Sequence, residues 1–320
     1  MSDAFEPTVL LPGGGGAAAI SALKSLRLAG FRGRIISTDI DRLAPAIFLS
    51  DVGAILPPST DPRFFDRALE LIEREGISLI LPTSGFDTLV YCERKAELRR
   101  RGVTAIVSEP EAVETCVDKI KFYRRAHDRF PLPRTVLRGP ASKVADEVGL
   151  PCIVKPVLGK GGREIALCRT LGELAENLAS RSDVLVQEFL PGDEYSIDVL
   201  SDLEGEPLVA VPRVRLKTVG GVSVRSRVFH DPGVQRVCMD LARFLGLKGP
   251  SCMQMRLAAS GEPKFIEVNP RMGGATIFSA LAGVNLAQLQ VDLAAGGSIE
   301  IPPFRDLTVV RYYEEIAIEG

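Results

Sequence analysis

A chain of 320 residues, 46% hydrophobic and 25% charged, is long enough to bury a large core in two or three domains. A net charge of −2 argues against nucleic-acid and membrane-surface partners, and no run of about 18 apolar residues occurs that would span a bilayer. The opening "MSDAFEPTVLLPGGGG" has no basic n-region or long apolar h-region, so it reads as no signal peptide.

In chain order, "TVLLP" reads as a short apolar strand, Gly13 to Gly16 as a turn, and "AAAISALKSLRLAG" as a helix ending at Gly30. "GRIISTDID" is a second strand and "VGAIL" a third. Helix "RFFDRALELIERE", strand "ISLILP", helix "LVYCERKAELRRR" and strand "VTAIVS" follow. This alternation predicts a parallel sheet with helices on both faces. The glycine turn is not the G-x-G-x-x-G pattern, and both a plain tight turn and an anion contact at the helix start fit it. Asp39 and Asp41 fit either a solvated strand end or a ribose contact.

The texture changes near Ser108, where a domain boundary is expected. "SEPEAVETCVDKIKFYRRAHDRFPLPRTV" reads as one charged helix and a proline-bounded extension. Strand "CIVKP", glycine loop "LGKGG", strand "EIALC", helix "TLGELAENLASR" and strand "DVLVQEF" come next. From about 191 to 230, strands without helices predict an antiparallel sheet, followed by helix "PGVQRVCMDLARFLG". Cys92, Cys116, Cys152, Cys168, Cys238 and Cys252 form no C-x-x-C pair and read as free buried thiols of a reducing cytoplasm. His127 and His230 are the only histidines and neither adjoins a nucleophile, so a Ser-His-Asp or Cys-His mechanism finds no support. Each reads as a surface or capping residue.

Three clusters carry chemistry. Lys155 ends an apolar strand, and an unpaired buried lysine there calls for an anion. Gly159, Lys160, Gly161 and Gly162 then form a hairpin tip able to bend around a polyanion. It is not a G-x-x-x-x-G-K-[ST] loop, and a bland hairpin would use the same residues. In "VLVQEFLPGDEYSIDVL", the backbone past Gln187 and Glu188 can pair with an adenine edge and Glu194 with ribose hydroxyls; solvated acids around a turn are the plainer reading. In "SCMQMRLAASGEPKFIEVNPR", a two-residue Ser260-Gly261 turn puts Gln254 opposite Glu267. Glu267, Asn269 and Arg271 then share a face, with Ile266 and Val268 in the core. Gln254, Glu267 and Asn269 supply the oxygens a hard divalent ion prefers. A solvated strand edge gives the same alternation. Arg213 and Lys217, four apart on one strand, are expected on one face; Arg215 and Arg225 are further candidates in that basic segment.

Jointly and in this order, "DK" near 119, "IVKP", "GKGG", "VQEFLPGDEYSIDVL" and "FIEVNPR" resemble the ATP-grasp superfamily, within it the carbamoyl-phosphate-synthase-like proteins. The resemblance covers about residues 110–300 and implies α/β and α+β architecture. An N-terminal parallel α/β domain (1–108) would precede a two-subdomain ATP-grasp fold, with a nucleotide lid at 109–190 and a metal and acyl subdomain at 191–320. It implies that Lys119, Lys155, Lys160, Gly161 and Gly162 bind ATP phosphates. Gln187, Glu188, Phe189 and Leu190 would frame adenine, and Glu194 would hold the ribose. Gln254, Glu267 and Asn269 would ligate Mg2+ (or Mn2+), and Arg271, Arg213 and Lys217 would serve the acyl site. The expected activity is an ADP-forming ligase joining a small-molecule carboxylate to an amine in the cytoplasm, as a homodimer, without nucleic-acid or membrane partners. Carboxyphosphate chemistry on bicarbonate and a non-catalytic ATP-binding protein are the alternatives. A true carbamoyl phosphate synthase large chain has two such halves; this chain has one.

Overall fold

The computed structural model describes residues 6–159, 164–296 and 299–318. The first elements are β1 (Val9–Pro12), α1 (Ala17–Leu28), β2 (Ile35–Asp39), α2 (Pro45–Leu49), β3 (Val52–Ile55), α3 (Phe64–Glu75), β4 (Leu79–Ile80), α4 (Asp87–Glu93), α5 (Lys95–Arg100) and β5 (Thr104–Ala105). They form a parallel sheet in the order β3-β2-β1-β4-β5. Every residue of β1 is buried, because alternate side chains serve two cores. Val9 and Leu11 pack with Ala19, Ala22 and Leu26 of α1. Leu10 packs with Phe64 and Ile72 of α3 and Tyr91 of α4. The strand order reverses between β1 and β4, so the loops after these two strands open at one edge, the usual ligand position of such sheets. Two features escaped the periodicity. A Pro45-initiated turn of helix, α2, precedes β3, and "LVYCERKAELRRR" is two helices broken at Arg94.

The segment expected as one charged helix is also two, α6 (Pro110–Val117) and α7 (Lys119–Ala126). Asp118 breaks it, its carboxylate accepting the N–H groups of Ile120 and Lys121 as an N-cap. After them come β6 (Thr135–Val136), α8 (Ala141–Val148), β7 (Cys152–Pro156), β8 (Ala166–Cys168), α9 (Leu171–Ser180) and β9 (Val184–Glu188). These strands make an antiparallel sheet in the order β6-β9-β7-β8.

The rest is β10 (Glu194–Ser201), β11 (Pro207–Val219), β12 (Val222–Val228), α10 (Pro232–Leu245), β13 (Gly249–Leu257), β14 (Pro263–Asn269), α11 (Thr276–Ala282), α12 (Leu286–Ala294) and β15 (Leu307–Val310). Their antiparallel sheet runs β14-β13-β10-β11-β12-β15. Ala112 and Cys116 of α6 and Phe122 and Ala126 of α7 pack with Ile197, Met253 and Phe265 of this sheet. Within the stretch 109–190, the first two helices thus pack in the core of the last sheet. Helices α11 and α12 cover the opposite face, and Ala287 and Val291 of α12 also join the core around β1 and α1. Among the described residues, no single helix is long and apolar enough to cross a membrane.

Two local irregularities decide which side chains reach the cleft. The β13–β14 loop has three residues, not two: Ala258 N–H donates to Glu262 O at 2.8 Å, and Gly261 sits at φ +85°, a left-handed conformation glycine adopts without strain. The register near the loop is therefore one residue off expectation, with Met255 opposite Phe265. A bulge at Ile266 then restores it, so Gln254 does face Glu267. The expected pair arises from two deviations that cancel. The bulge also corrects the core assignment: Phe265, fully buried, packs inward, while Ile266 lines the cleft. On β11, the extra residue Leu216 lies between Arg215, opposite Ser226, and Lys217, opposite Arg225. Alternation flips there, so Arg213 and Lys217 do not share a face.

Candidate functional site

The three sheets meet around a cleft of ≈ 540 Å³. The first sheet contributes its switch-point loops: Gly16, Ala17 and Ala18 at the start of α1, and Thr83, Gly85 and Phe86 after β4. Gly14, Gly15 and Gly16 use their N–H groups on Thr38 O, Asp39 Oδ2 and Gly13 O at 2.8–2.9 Å. The glycine turn is thus a self-satisfied turn, clamped by Asp39, and presents the helix start to the cleft.

One wall holds two lysines. Lys119 is the first residue of α7, presented by the Asp118 cap; its Nζ donates to Val157 O and Gly159 O, both at 3.3 Å. Lys155 lies on the cleft face of β7, opposite the Val154 side that packs on α8 and α9. It is 7% exposed, and its Nζ donates to Ile266 O at 3.2 Å. Among the described residues neither ammonium has a carboxylate within 4.0 Å. Burial, then repulsion from Lys119, pushes the Lys155 ammonium down to about 8, with Glu267 partly opposing. Burial also pushes Lys119 down. Two desolvated like charges side by side favour an anionic ligand. Lys160, Gly161 and Gly162 lie outside the described residues.

Beyond β9 the chain is braced rather than open. Gln187 is buried and donates from Nε2 to Thr135 Oγ1 at 2.8 Å. The Glu188 carboxylate pairs with Arg134 at 2.8 Å and with Lys264 of β14. Burial would raise its pKa, but Lys264 and Arg134 outweigh this and hold it below the ordinary carboxylate range. With its side chain so committed and its N–H donating to Arg134 O at 3.0 Å, Glu188 lines the cleft alongside Phe189 and Leu190. Glu194, at the start of β10, pairs with Arg215. Arg215 also donates to Ser223 Oγ at 3.1 Å and Gly221 O at 2.6 Å, so it aims Glu194.

The facing wall carries Gln254, Glu267 and Asn269, all part-exposed to the cleft. Among the described residues the side chains of Gln254 and Glu267 have no hydrogen-bond or ion-pair partner. Asn269 Oδ1 accepts from Arg271 Nη2 at 3.4 Å. Three neutral or anionic oxygens with one carboxylate fit a hard divalent cation whose remaining ligands come from a bound anion. Arg271 donates to Met272 O at 2.6 Å and, among the described residues, meets no carboxylate within 4.0 Å.

The two other acyl-site candidates fare differently. Arg213 lines the cleft but is 2% exposed, and its Nη1 donates to Asp198 Oδ2 at 2.8 Å, which also accepts from Ser279 Oγ. Burial opposes its charge and Asp198 restores it. It is a buried, committed cation. Lys217 is exposed and is not among the cleft-lining residues, since the Leu216 bulge gives that face to Thr218. Arg134 and Lys264 carry no signal in the sequence, although Lys264 is the second residue of the strand that carries Glu267; no local pattern marks a cross-sheet pair.

Residues 180–316 match the family described as ATP-grasp in the biosynthetic pathway with Ter operon, and residues 10–106 match the PylC-like N-terminal domain. The carbamoyl phosphate synthase large chain of Pseudomonas putida is 24% identical over 306 residues, covering 87% of this chain and 28% of that one. The Vibrio cholerae counterpart is likewise 24% identical over 306 residues, with the same coverage. The chain thus spans little more than a quarter of the length of these carbamoyl phosphate synthase chains. Among solved structures, a biotin carboxylase–βγ-ATP complex from Campylobacter jejuni superposes with a TM-score of 0.72 at 17% identity, covering 93% of this chain and 73% of that one. N5-carboxyaminoimidazole synthetase from Staphylococcus aureus with ADP gives 0.71 at 13% identity, covering 93% and 80%. The biotin carboxylase domain dimer of Hydrogenobacter thermophilus 2-oxoglutarate carboxylase, with MgADP and bicarbonate, gives 0.71 at 19% identity, covering 92% and 71%. At these identities the likeness is one of fold.

Proposed function

We propose that this chain, with its match to an ATP-grasp family over residues 180–316 and to the PylC-like N-terminal domain over 10–106, is an ATP-dependent carboxylate–amine ligase that forms an acyl phosphate and releases ADP and phosphate. The observation that carries this reading is the pair of desolvated ammoniums, Lys119 and Lys155, lining the same cleft as the oxygen trio Gln254, Glu267 and Asn269. Lysines on one side and oxygens on the other suit a nucleotide triphosphate with Mg2+ or Mn2+.

In this reading the backbone from Glu188 to Leu190 frames adenine, between Ile153 and Ile266. Glu194, aimed by Arg215, accepts from the ribose hydroxyls. Lys119 and Lys155 bind the phosphates. A divalent ion held by Gln254, Glu267 and Asn269 would neutralise charge on the β- and γ-oxygens. Arg271 orients the acceptor carboxylate at the far end, and Arg213 keeps that end cationic from beneath through its buried pair with Asp198. The carboxylate oxygen attacks the γ-phosphorus, the bond to the β-bridging oxygen breaks, and ADP leaves with that electron pair. The amine then displaces phosphate from the acyl group. Positioning and charge neutralisation supply the rate, and no protein nucleophile is needed. The domain scheme proposed with it has an N-terminal unit at 1–108, a nucleotide lid at 109–190 and a C-terminal unit at 191–320, on whose sheet α6 and α7 pack. A homodimer belongs to the same proposal, and sedimentation velocity tests it.

Hydroxylamine supplied with MgATP and a panel of carboxylic acids, bicarbonate included, traps an acyl phosphate as a hydroxamate, with ADP and phosphate in equal amounts. AMP and pyrophosphate in step with product would overturn the assignment, and nucleotide binding without carboxylate-stimulated turnover would point to the non-catalytic alternative.

A further inference from the structure

Arg311 follows β15 and is not one of the cleft-lining residues, yet its side chain reaches the turn beyond Arg271. Its backbone N–H donates to Val224 O at 2.8 Å, continuing the pairing of β15 with β12. From that anchor, Nη2 donates to Gly274 O at 2.7 Å and to Ser21 Oγ at 3.4 Å. Ser21 Oγ itself donates to Gly274 O at 2.9 Å. The guanidinium carbon lies 5.4 Å from the centroid of the Phe278 ring, within cation–π range. The C-terminal strand, helix α1 of the first sheet and the turn after β14 therefore converge on one carbonyl oxygen.

That carbonyl belongs to a turn with little freedom elsewhere. Gly273 O accepts from Thr276 Oγ1 at 2.8 Å. A Cβ on Gly273 would meet Cys252 Sγ at 2.9 Å, and one on Gly274 would meet Ala17 Cβ at 3.2 Å. Both glycines and Ala275 line the cleft. In a planar trans peptide the N–H points opposite to the C=O, so fixing Gly274 O also fixes the Ala275 N–H, on the side away from Arg311. Among the described residues no carboxylate lies within 4.0 Å of Arg311, and burial, then Arg213, disfavours its charge. A cation is kept here for the oxygens it holds.

We propose that Arg311 is a positioning residue: by holding Gly274 O against Ser21 of α1, it sets the 271–275 turn at the substrate end of the cleft and ties that turn to the N-terminal sheet. Its effect on turnover rests on the ligase reading; its effect on the turn does not.

The test compares the full chain with its Arg311→Ala and Arg311→Lys variants. Amide hydrogen exchange of the peptide spanning 271–276 should quicken roughly tenfold in Arg311→Ala, as for loss of one charge-assisted hydrogen bond. Lysine, or added guanidinium, should restore part of the protection. With MgATP and acetate, benzoate, glutamate or bicarbonate, KM for the stimulating acid should rise roughly tenfold while KM for MgATP stays within about twofold. Ser21→Ala, which leaves β15 untouched, should show the same pattern more weakly and serves if Arg311→Ala folds poorly. Unchanged exchange in the turn, or equal rises in both KM values with a lower unfolding midpoint, overturns the proposal. Absence of any carboxylate stimulation in the unaltered protein instead removes the ligase reading, and the exchange result still decides the role of Arg311.

Discussion

Replacing Lys155 by Met should make the nucleotide-free protein more stable and ruin its nucleotide binding. The ammonium is held at about 8 against 10.5 for an ordinary lysine, which corresponds to about 3 kcal/mol of destabilisation at neutral pH. Because this is a cation whose folded pKa is depressed, the penalty is complete below about 8 and fades as pH rises toward 10.5. Methionine removes the charge and keeps the length. It also leaves Ile266 O without the 3.2 Å bond from Lys155, a loss of about 1 kcal/mol. The net expectation is about 2 kcal/mol of stabilisation at pH 7, shrinking toward the alkaline side as the unaltered protein catches up. Urea unfolding with and without MgADP reads both effects. In the unaltered protein, calorimetry in buffers of different ionisation enthalpy should show proton uptake on MgADP binding near pH 8, since a phosphate beside Lys155 restores its charge. A variant no more stable than the parent that still binds MgADP with the parent's Kd would refute the argument.

Three further outcomes follow from the geometry. Glu267→Gln should nearly abolish turnover while retaining much of the nucleotide affinity, because it removes the one carboxylate of the oxygen trio and leaves the adenine contacts; ordinary activity at ordinary Mg2+ would remove the metal assignment. Lys264→Met should weaken MgADP binding and move Glu188 back toward the usual carboxylate range, since one of its two cations is gone; an unchanged Kd would mean that the Glu188 brace is irrelevant to the nucleotide. Phe265→Ala should cost about 3–5 kcal/mol in urea unfolding, whereas Ile266→Ala should cost far less and raise the MgADP Kd; the reverse ranking would show that the β14 bulge is misplaced.

The alternating first domain, the antiparallel run after residue 191 and the order of the chemical motifs are legible in the amino-acid sequence. These rest on local periodicity and on residue types costly to place otherwise, such as Lys155 at the end of an apolar strand. Helix breaks at Arg94 and Asp118 were not legible, because a polar residue that caps a helix also fits inside a charged one. Which side chains face the cleft depends instead on loops and bulges seen in the folded chain. A three-residue loop and the Ile266 bulge cancel to seat Gln254 opposite Glu267, and the Leu216 bulge turns Lys217 away. Side-chain parity along a strand is lost with a single inserted residue, and no local pattern marked these insertions. Long-range pairs such as Glu188 with Lys264, Arg213 with Asp198, and Arg311 with Gly274 O depend on where whole sheets pack, a matter of distant burial that neighbouring residues do not encode.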